Sequence, residues 1–366
     1  MKIAIFGGAF DPLHSEHIKV VTACKEELKA EKVIVLPSFC PPHKSNIIAS
    51  YEDRLNILHI ALDCFNYVEI SELEKESDYN PSYLTLQKIK NQYPDDELFF
   101  ITGGDGIEYF DRWNKPEEIV KLVTLVVVKR DGYNQFAKAI DLVENKFNIN
   151  IISLNTKGED VSSTQVRASI ILGLDTPNEE IEVLDYIKEQ GVYSKYDECI
   201  NKLKTQLSIR TYNHCVRTTM YGLKLAAKQK MSFEKVFLAC LFHDCAKNTK
   251  VVMDGVPNQV VHQFVGSEIA SKEYNINDEE ILSAIRYHTT GKANMSQLEK
   301  LVFMADMLED GRDYEGVEEL RKAVDDDFEL GFVACITATL ENLIVKKTKI
   351  FLLTNQCYEY YTNKDI

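Results

Sequence analysis

The chain has 366 residues, 45% of them hydrophobic, and a formal net charge of −15. That length favours two domains with real cores, and the acidic balance argues against a nonspecific grip on nucleic acid or on an anionic membrane. Nine scattered cysteines with no CxxC pair read as reduced thiols rather than a disulfide framework or a zinc site; with no leader and no window of membrane-spanning length, the expectation is a soluble cytoplasmic protein.

The run Lys2-Ile3-Ala4-Ile5-Phe6 predicts a buried parallel strand. Gly7 and Gly8 let the backbone turn tightly and approach a ligand. Asp11-Pro12 opens the next element, and residues 13–28 carry helical periodicity. His14 and His17 share a helical face in the first turn, where free N–H groups favour anions. A second strand, Lys32 to Pro37, runs into Ser38-Phe39-Cys40-Pro41-Pro42-His43-Lys44. Its prolines place His43 and Lys44 on a stiff loop at a strand's C-terminal edge, where open α/β sheets take ligands.

Helices are expected at 51–62 and 81–92, and strands at 67–71, 98–102, 122–128 and 149–154. Gly103-Gly104-Asp105-Gly106 is a second glycine turn after a strand, followed by Trp113, the single tryptophan. The last strand leads to Val161-Ser162-Ser163-Thr164-Gln165-Val166-Arg167. Three hydroxyl residues before an apolar helix form a capping cluster, and Arg167 returns one turn later, so hydroxyls, N–H groups and a guanidinium can meet one polyphosphate. The alternation predicts a doubly wound parallel α/β sheet.

Together GGAFDPLHSEH, PSFCPPHK, GGDGIEYFDRW and VSSTQVR resemble bacterial nicotinate-nucleotide adenylyltransferases, of the HxGH nucleotidyltransferases, over residues 1–194. The resemblance implies a Rossmann-like domain that transfers AMP from ATP to nicotinate mononucleotide, giving deamido-NAD and pyrophosphate, with magnesium on the ATP. It assigns His14, His17, Lys44 and Arg167 to catalysis. It assigns Gly8, Phe10, His17, Ser162, Ser163 and Arg167 to ATP, and Asp105 and Trp113 to the mononucleotide. Glu16 stands where the family has Gly, and the Arg usual before Pro81-Ser82-Tyr83 is missing. A rival reading transfers a nucleotidyl group to a pantetheine phosphate; the PPHK segment and Trp113 favour the pyridine nucleotide.

Past Tyr196 strand-like runs become rare and amphipathic helices follow one another, so a second, all-α domain is expected over 197–366. His59 has no partner in its helix and reads as bland, whereas His214, His243, His262 and His288 fall in this half. His243-Asp244 reads as part of a buried, mainly apolar helix, where an unsatisfied doublet would be costly. Asp306 closes another such run. Imidazoles mixed with carboxylates suit iron or manganese, which acidify bound water.

This H…HD…D pattern resembles the HD phosphohydrolase superfamily. RTYNHCVRT, LFHDCAK, VHQFVGSEIA, AIRYHTTG and ADMLEDGR narrow the resemblance to symmetrical bis(5′-nucleosyl)-tetraphosphatases, with Asp310 in place of that family's Pro. It implies hydrolysis of diadenosine tetraphosphate to two ADP, with His214, His243, Asp244 and Asp306 as metal ligands. His214, Asp244, His262, His288, Thr289 and Asp306 would meet the nucleotide, supported by Lys247 and Arg312. The alternative is a nucleotide-sensing module that turns over slowly. Expected partners are ATP and the two nucleotide substrates, with no nucleic acid and no membrane; a homo-oligomer is left open.

Overall fold

The apolar run after Met1 forms β1 (Lys2–Gly8), in a computed structural model that describes residues 1–39, 47–76, 79–130, 136–156, 161–176 and 179–362. Contacts divide the chain into two units, Met1–Ser194 and Lys195–Ile366. In the first, β1 is followed by α1 (Ser15–Glu26), β2 (Lys32–Pro37), α2 (Tyr51–Leu62), β3 (Val68–Ile70), α3 (Ser82–Gln92) and β4 (Glu97–Gly103). Then come α4 (Gly104–Glu108), α5 (Pro116–Leu122), β5 (Thr124–Arg130), α6 (Ala137–Phe147), β6 (Ile152–Thr156), α7 (Ser163–Leu172) and α8 (Ile181–Gln190).

All strand pairs are parallel, in the order β3-β2-β1-β4-β5-β6. β1 lies between β2, with Ile3 opposite Lys32, and β4, with Phe6 opposite Ile101. The order reverses there, so a crevice opens beyond the carboxyl ends of β1 and β4, the usual ligand position in such sheets. The strands read as continuous apolar runs because both sheet faces are covered. On one face Ile3, Ile5, Ile34, Phe100, Leu125 and Val127 pack against Leu86 and Ile89 of α3, Ile119 of α5 and Ile140 of α6. Each such buried side chain contributes about 1.5–3 kcal/mol against the entropy of ordering.

The expected elements are present with shifted ends. The strands expected at 122–128 and 149–154 begin at Thr124 and Ile152. Leu122 instead ends α5, and Asn148 closes α6 with a left-handed φ of 52° before β6 starts.

The second unit is helical: α9 (Asp197–Gln206), α10 (Ile209–Gln229), α11 (Phe233–Phe242), α12 (Asn258–Tyr274), α13 (Glu279–Tyr287), α14 (Gln297–Leu308), α15 (Val317–Asp326), α16 (Phe328–Val345) and α17 (Leu352–Thr362). Side chains cap these helices: Ser208 accepts from Thr211 N–H, Asp278 from Glu280 N–H, and Ser296 from Glu299 N–H. Gly222 lets α10 approach α11 and α14 closely. A Cβ there would lie 2.6 Å from Cys240 Sγ and 3.3 Å from Leu301.

One expectation is corrected here. α16 is long and apolar enough, by length and composition, to cross a membrane: 18 residues of mean hydropathy 1.6, of which 28% are buried. Its inner side, Gly331, Phe332, Cys335 and Ile336, is buried, while Leu330, Ile344 and Val345 are exposed. Apolar residues on both sides of one helix raise the window average, which a reading by core face alone overlooks.

Candidate functional site

In the first unit the chain leaves β1 at Gly8 and makes a tight excursion to α1. Phe10 adopts a left-handed φ of 50° and is buried, its ring edge-on to Phe6 and His17. A Cβ on Gly8 would stand 3.1 Å from that ring, a tight approach that glycine leaves room for. Strained backbone held by packing is characteristic of ligand-binding loops.

His14 is the residue before α1 rather than part of its first turn, and His17 is the third helical residue. Their rings lie close and tilted to one another, centroids 3.8 Å apart and planes at 35°. The His14 backbone N–H donates to His17 Nδ1 at 3.2 Å. In the neutral ring this puts the proton on Nε2, which becomes a donor suited to a phosphate oxygen. Glu16 is buried, and its carboxylate pairs with Lys19 at 2.7 Å, so its charge is answered locally.

Beneath the loop lies a buried hub that the sequence reading missed. The Asp11 carboxylate accepts from Ile48 N–H (2.8 Å), Ala49 N–H (3.2 Å), the Tyr193 hydroxyl (2.8 Å) and Arg167 Nη1 (3.1 Å). Arg167 Nη1 also donates to the Asp11 carbonyl. Arg167, expected to meet the triphosphate, has a buried side chain whose charge is answered by Asp11. Burial favours this pairing because an unanswered guanidinium there would be costly. Burial and the neighbouring Asp11 push the Tyr193 phenol well above its ordinary pKa, so it stays a donor.

Ser163 Oγ donates to the Pro12 carbonyl at 3.1 Å, and Ser162 caps α7 by accepting from Gln165 N–H. The hydroxyl cluster thus holds α7 against the loop and presents the helix N-terminus beside it. Arg54, also missed, is buried and ties the loops after β1 and β2 together, donating to Ala9 O (2.6 Å) and Ser38 O (2.9 Å). Its place among Leu55, Ile57 and Leu58 on α2 was the available signal. Trp113 leans on Phe100 and Phe110 at the edge of the core. Lys44 and the side chain of Asp105 lie outside the described residues.

In the second unit all four expected metal ligands converge. His214 comes from α10, His243 closes α11, Asp244 follows it, and Asp306 lies on α14. His243 therefore sits at a helix end, not within the helix. His214 Nε2 is 2.9 Å from Asp306 Oδ1 and 3.2 Å from His243 Nε2. His243 Nε2 is 3.8 Å from both Asp244 Oδ2 and Asp306 Oδ1. The residues expected at the nucleotide join them: His262 Nε2 and His288 Nε2 stand 3.2 and 3.4 Å from Asp244 Oδ1, and Thr289 Oγ1 is 3.2 Å from His262. Lys247 Nζ approaches Asp244 at 3.2 Å, and Arg312 reaches Asp306 at 2.6 Å.

The donor set fits a cation. His243 Nδ1 and His288 Nδ1 face the carbonyls of Cys240 and Ile285, which only accept, so these nitrogens carry the protons. Burial pushes His243 down to about 4, against the pull of Asp244 and Asp306, so its Nε2 is a bare lone pair at neutral pH. Burial also works against ionisation of Asp244 and Asp306. For Asp244 the neighbouring His243, His262 and His288 outweigh it; for Asp306, His214 and His243 do; both carboxyls stay well below their usual range. Lone pairs and carboxylates facing one another repel unless a positive charge sits among them. Two overlapping groups meet the spacing for a metal, His214/His243/Asp306 and His243/Asp244/His288, each with its ligand atoms within 4.8 Å.

Residues 5–169 match the Cytidylyltransferase-like family and residues 211–311 the HD domain family. A Mycoplasma pneumoniae protein named "Probable nicotinate-nucleotide adenylyltransferase/Ap4A hydrolase" is 30% identical over 88% of this chain and 91% of its own length. The chain belongs to the nicotinate-nucleotide adenylyltransferase/Ap4A hydrolase family. Its Mycoplasma genitalium counterpart, under the same name, is 27% identical over 86% of this chain and 89% of its own. A Shewanella protein named only "Probable nicotinate-nucleotide adenylyltransferase" is 31% identical and covers 53% of this chain and 99% of itself.

Proposed function

We propose that the first unit transfers AMP from ATP to nicotinate mononucleotide, and that the second hydrolyses diadenosine tetraphosphate symmetrically to two ADP. The convergence of four histidines and two aspartates in one buried pocket carries the second assignment. The first rests on the His14/His17 pair beside two helix N-termini at the β1/β4 reversal.

In the transfer, an oxygen of the mononucleotide phosphate bonds to the α-phosphorus of ATP as the bond to the β-phosphate breaks and pyrophosphate leaves. Magnesium would accompany the ATP and offset its phosphate charge. No covalent enzyme intermediate is needed, so the residues position the reactants and offset charge. His17 Nε2–H and the N–H groups opening α1 and α7 supply donors for the phosphates. Asp11, through Arg167 and Tyr193, holds the loop that carries His14.

In the hydrolysis, water oxygen bonds to the second phosphorus and the bridge to the third phosphate breaks, so each product is ADP. His214, His243, Asp244 and Asp306 would hold an iron or manganese ion, which supplies Lewis acidity and acidified water. His288 and His262 border a second place beside Asp244, open to another cation or to phosphate oxygens. Arg312 and Lys247 orient the carboxylates and answer phosphate charge.

The test uses the full chain. ATP with nicotinate mononucleotide should give deamido-NAD and pyrophosphate faster than nicotinamide mononucleotide gives NAD. Diadenosine tetraphosphate with Mn²⁺ or Fe²⁺ should give ADP alone. Release of ATP plus AMP would refute the symmetrical cut. No turnover, with nucleotide bound, would favour the sensing module. His17→Ala should abolish only the first reaction and His243→Ala only the second.

A further inference from the structure

His214, His243 and His288 all present Nε2 to the pocket, but by two different means. His243 and His288 are the residues that close α11 and α13. The last carbonyls of a helix have no partner inside it. Each ring uses Nδ1–H on the carbonyl three residues back, Cys240 O at 2.7 Å and Ile285 O at 2.8 Å. His214 has no such carbonyl. It lies in the second turn of the 21-residue α10, where backbone acceptors are already engaged. Its Nδ1 is met instead by Glu309 Oε1 at 3.1 Å.

Glu309 is held rigidly for this. It closes α14, three residues after Asp306, and is buried. Its Oε2 accepts from Arg217 Nε (2.6 Å) and Gly311 N–H (2.5 Å), and its Oε1 from Arg217 Nη2 (3.1 Å). One helix end thus delivers a ligand, Asp306, to His214 Nε2 and a support, Glu309, to the opposite nitrogen of the same ring. A carboxylate behind an imidazole fixes its tautomer and orientation and raises its basicity as a ligand.

We propose that Glu309 is the positioning residue that makes His214 a cation ligand: it holds the proton on Nδ1 and turns the Nε2 lone pair to the pocket. This rests on the cation reading of the second unit. Glutamine in its place would keep the shape, but one end of its amide is a donor. Either amide orientation sets that donor against His214 Nδ1–H or against the donors of Arg217 and Gly311.

The experiment titrates full-length, metal-stripped protein with Mn²⁺ against a competing chelator, for wild type and Glu309→Gln, with circular dichroism to confirm that both are folded. Glu309→Gln should bind Mn²⁺ some 10–100-fold more weakly, the usual effect of losing such a partner. Binding within threefold of wild type, in folded protein, would overturn the proposal. Absence of Mn²⁺ binding by wild type would overturn the cation reading and this inference with it. Nitrogen-15 spectra of histidine-labelled wild type loaded with Zn²⁺ give a second readout that needs no variant. His214 should show a protonated Nδ1 and a metal-bound Nε2, and the reverse assignment would overturn the proposal.

Discussion

Tyr193→Phe isolates one bond of the Asp11 hub. The substitution keeps the ring and removes a hydroxyl that donates at 2.8 Å to a carboxylate, with both residues all but fully buried. Hydrogen bonds to charged groups contribute about 1.5–3 kcal/mol, and the low end applies because Ala49 N–H still serves the same oxygen. For a unit of roughly 150–250 residues each kcal/mol moves the midpoint by about 2–4 °C, so a drop of about 3–8 °C is expected. Calorimetry of the full chain, with and without Mn²⁺ to identify the second unit's transition, should show the fall in the first unit only. The KM for ATP should rise more than kcat falls, since the loop bearing His14 loosens. A first-unit midpoint within 1 °C of wild type would refute the hub as a determinant of that loop. Asp11→Asn is the harsher companion: it strands buried Arg167, at about 3–5 kcal/mol.

Glu179 is held up at about 8, chiefly by burial and further by Glu180, and its Oε1 is buried without a hydrogen-bond partner. A carboxyl whose folded pKa is raised contributes stability that is fully present below its unfolded pKa, about 4.5, and is lost as pH rises through 8. Glu179→Gln should therefore raise the first unit's melting midpoint at pH 8 and barely change it at pH 4.5; equal effects at both would contradict the assignment. In the second unit, burial tends to lower His214, but Asp306 and then Glu309 outweigh it and raise its pKa. As pH falls through that raised value the ring takes up a proton that metal must displace, so apparent Mn²⁺ affinity should drop about tenfold per unit. A flat chelator-competition profile between pH 8 and 5.5 would contradict this. Gly222→Ala should destabilise the second unit by about 1–3 kcal/mol through overpacking against Cys240, measured by denaturant midpoint; no change would mean that the helices part easily.

Much of the fold was legible because its strands are apolar runs and its turns carry glycine. His14 and His17 stood out because they follow a glycine turn at a helix start, and the H…HD…D set because imidazoles and carboxylates along apolar helical runs need an explanation. What could not be read is pairing across the chain. Asp11 meets Arg167 and Tyr193 at separations of 156 and 182 residues, which no periodicity reports. Arg167 stands among hydroxyls in the sequence, and the carboxylate that it meets comes from the other end of the unit. Glu309 had a faint signal, since it follows Asp306 by three residues and so returns to the same side of the chain. His243 was placed inside a helix because the apolar run continues to Phe242; the run ends there and the ring closes it.

A histidine that finishes a helix brings its own tautomer lock, because the carbonyl it needs belongs to the segment it terminates. His243 and His288 are in that sense self-contained modules, transferable with a few residues of their helices to another scaffold. His214 is not: grafted alone it would arrive with its proton unassigned. Anyone rebuilding this pocket elsewhere would have to carry the close of α14 along with α10, and a design that copied only the ligands would be left short of one reliable imidazole.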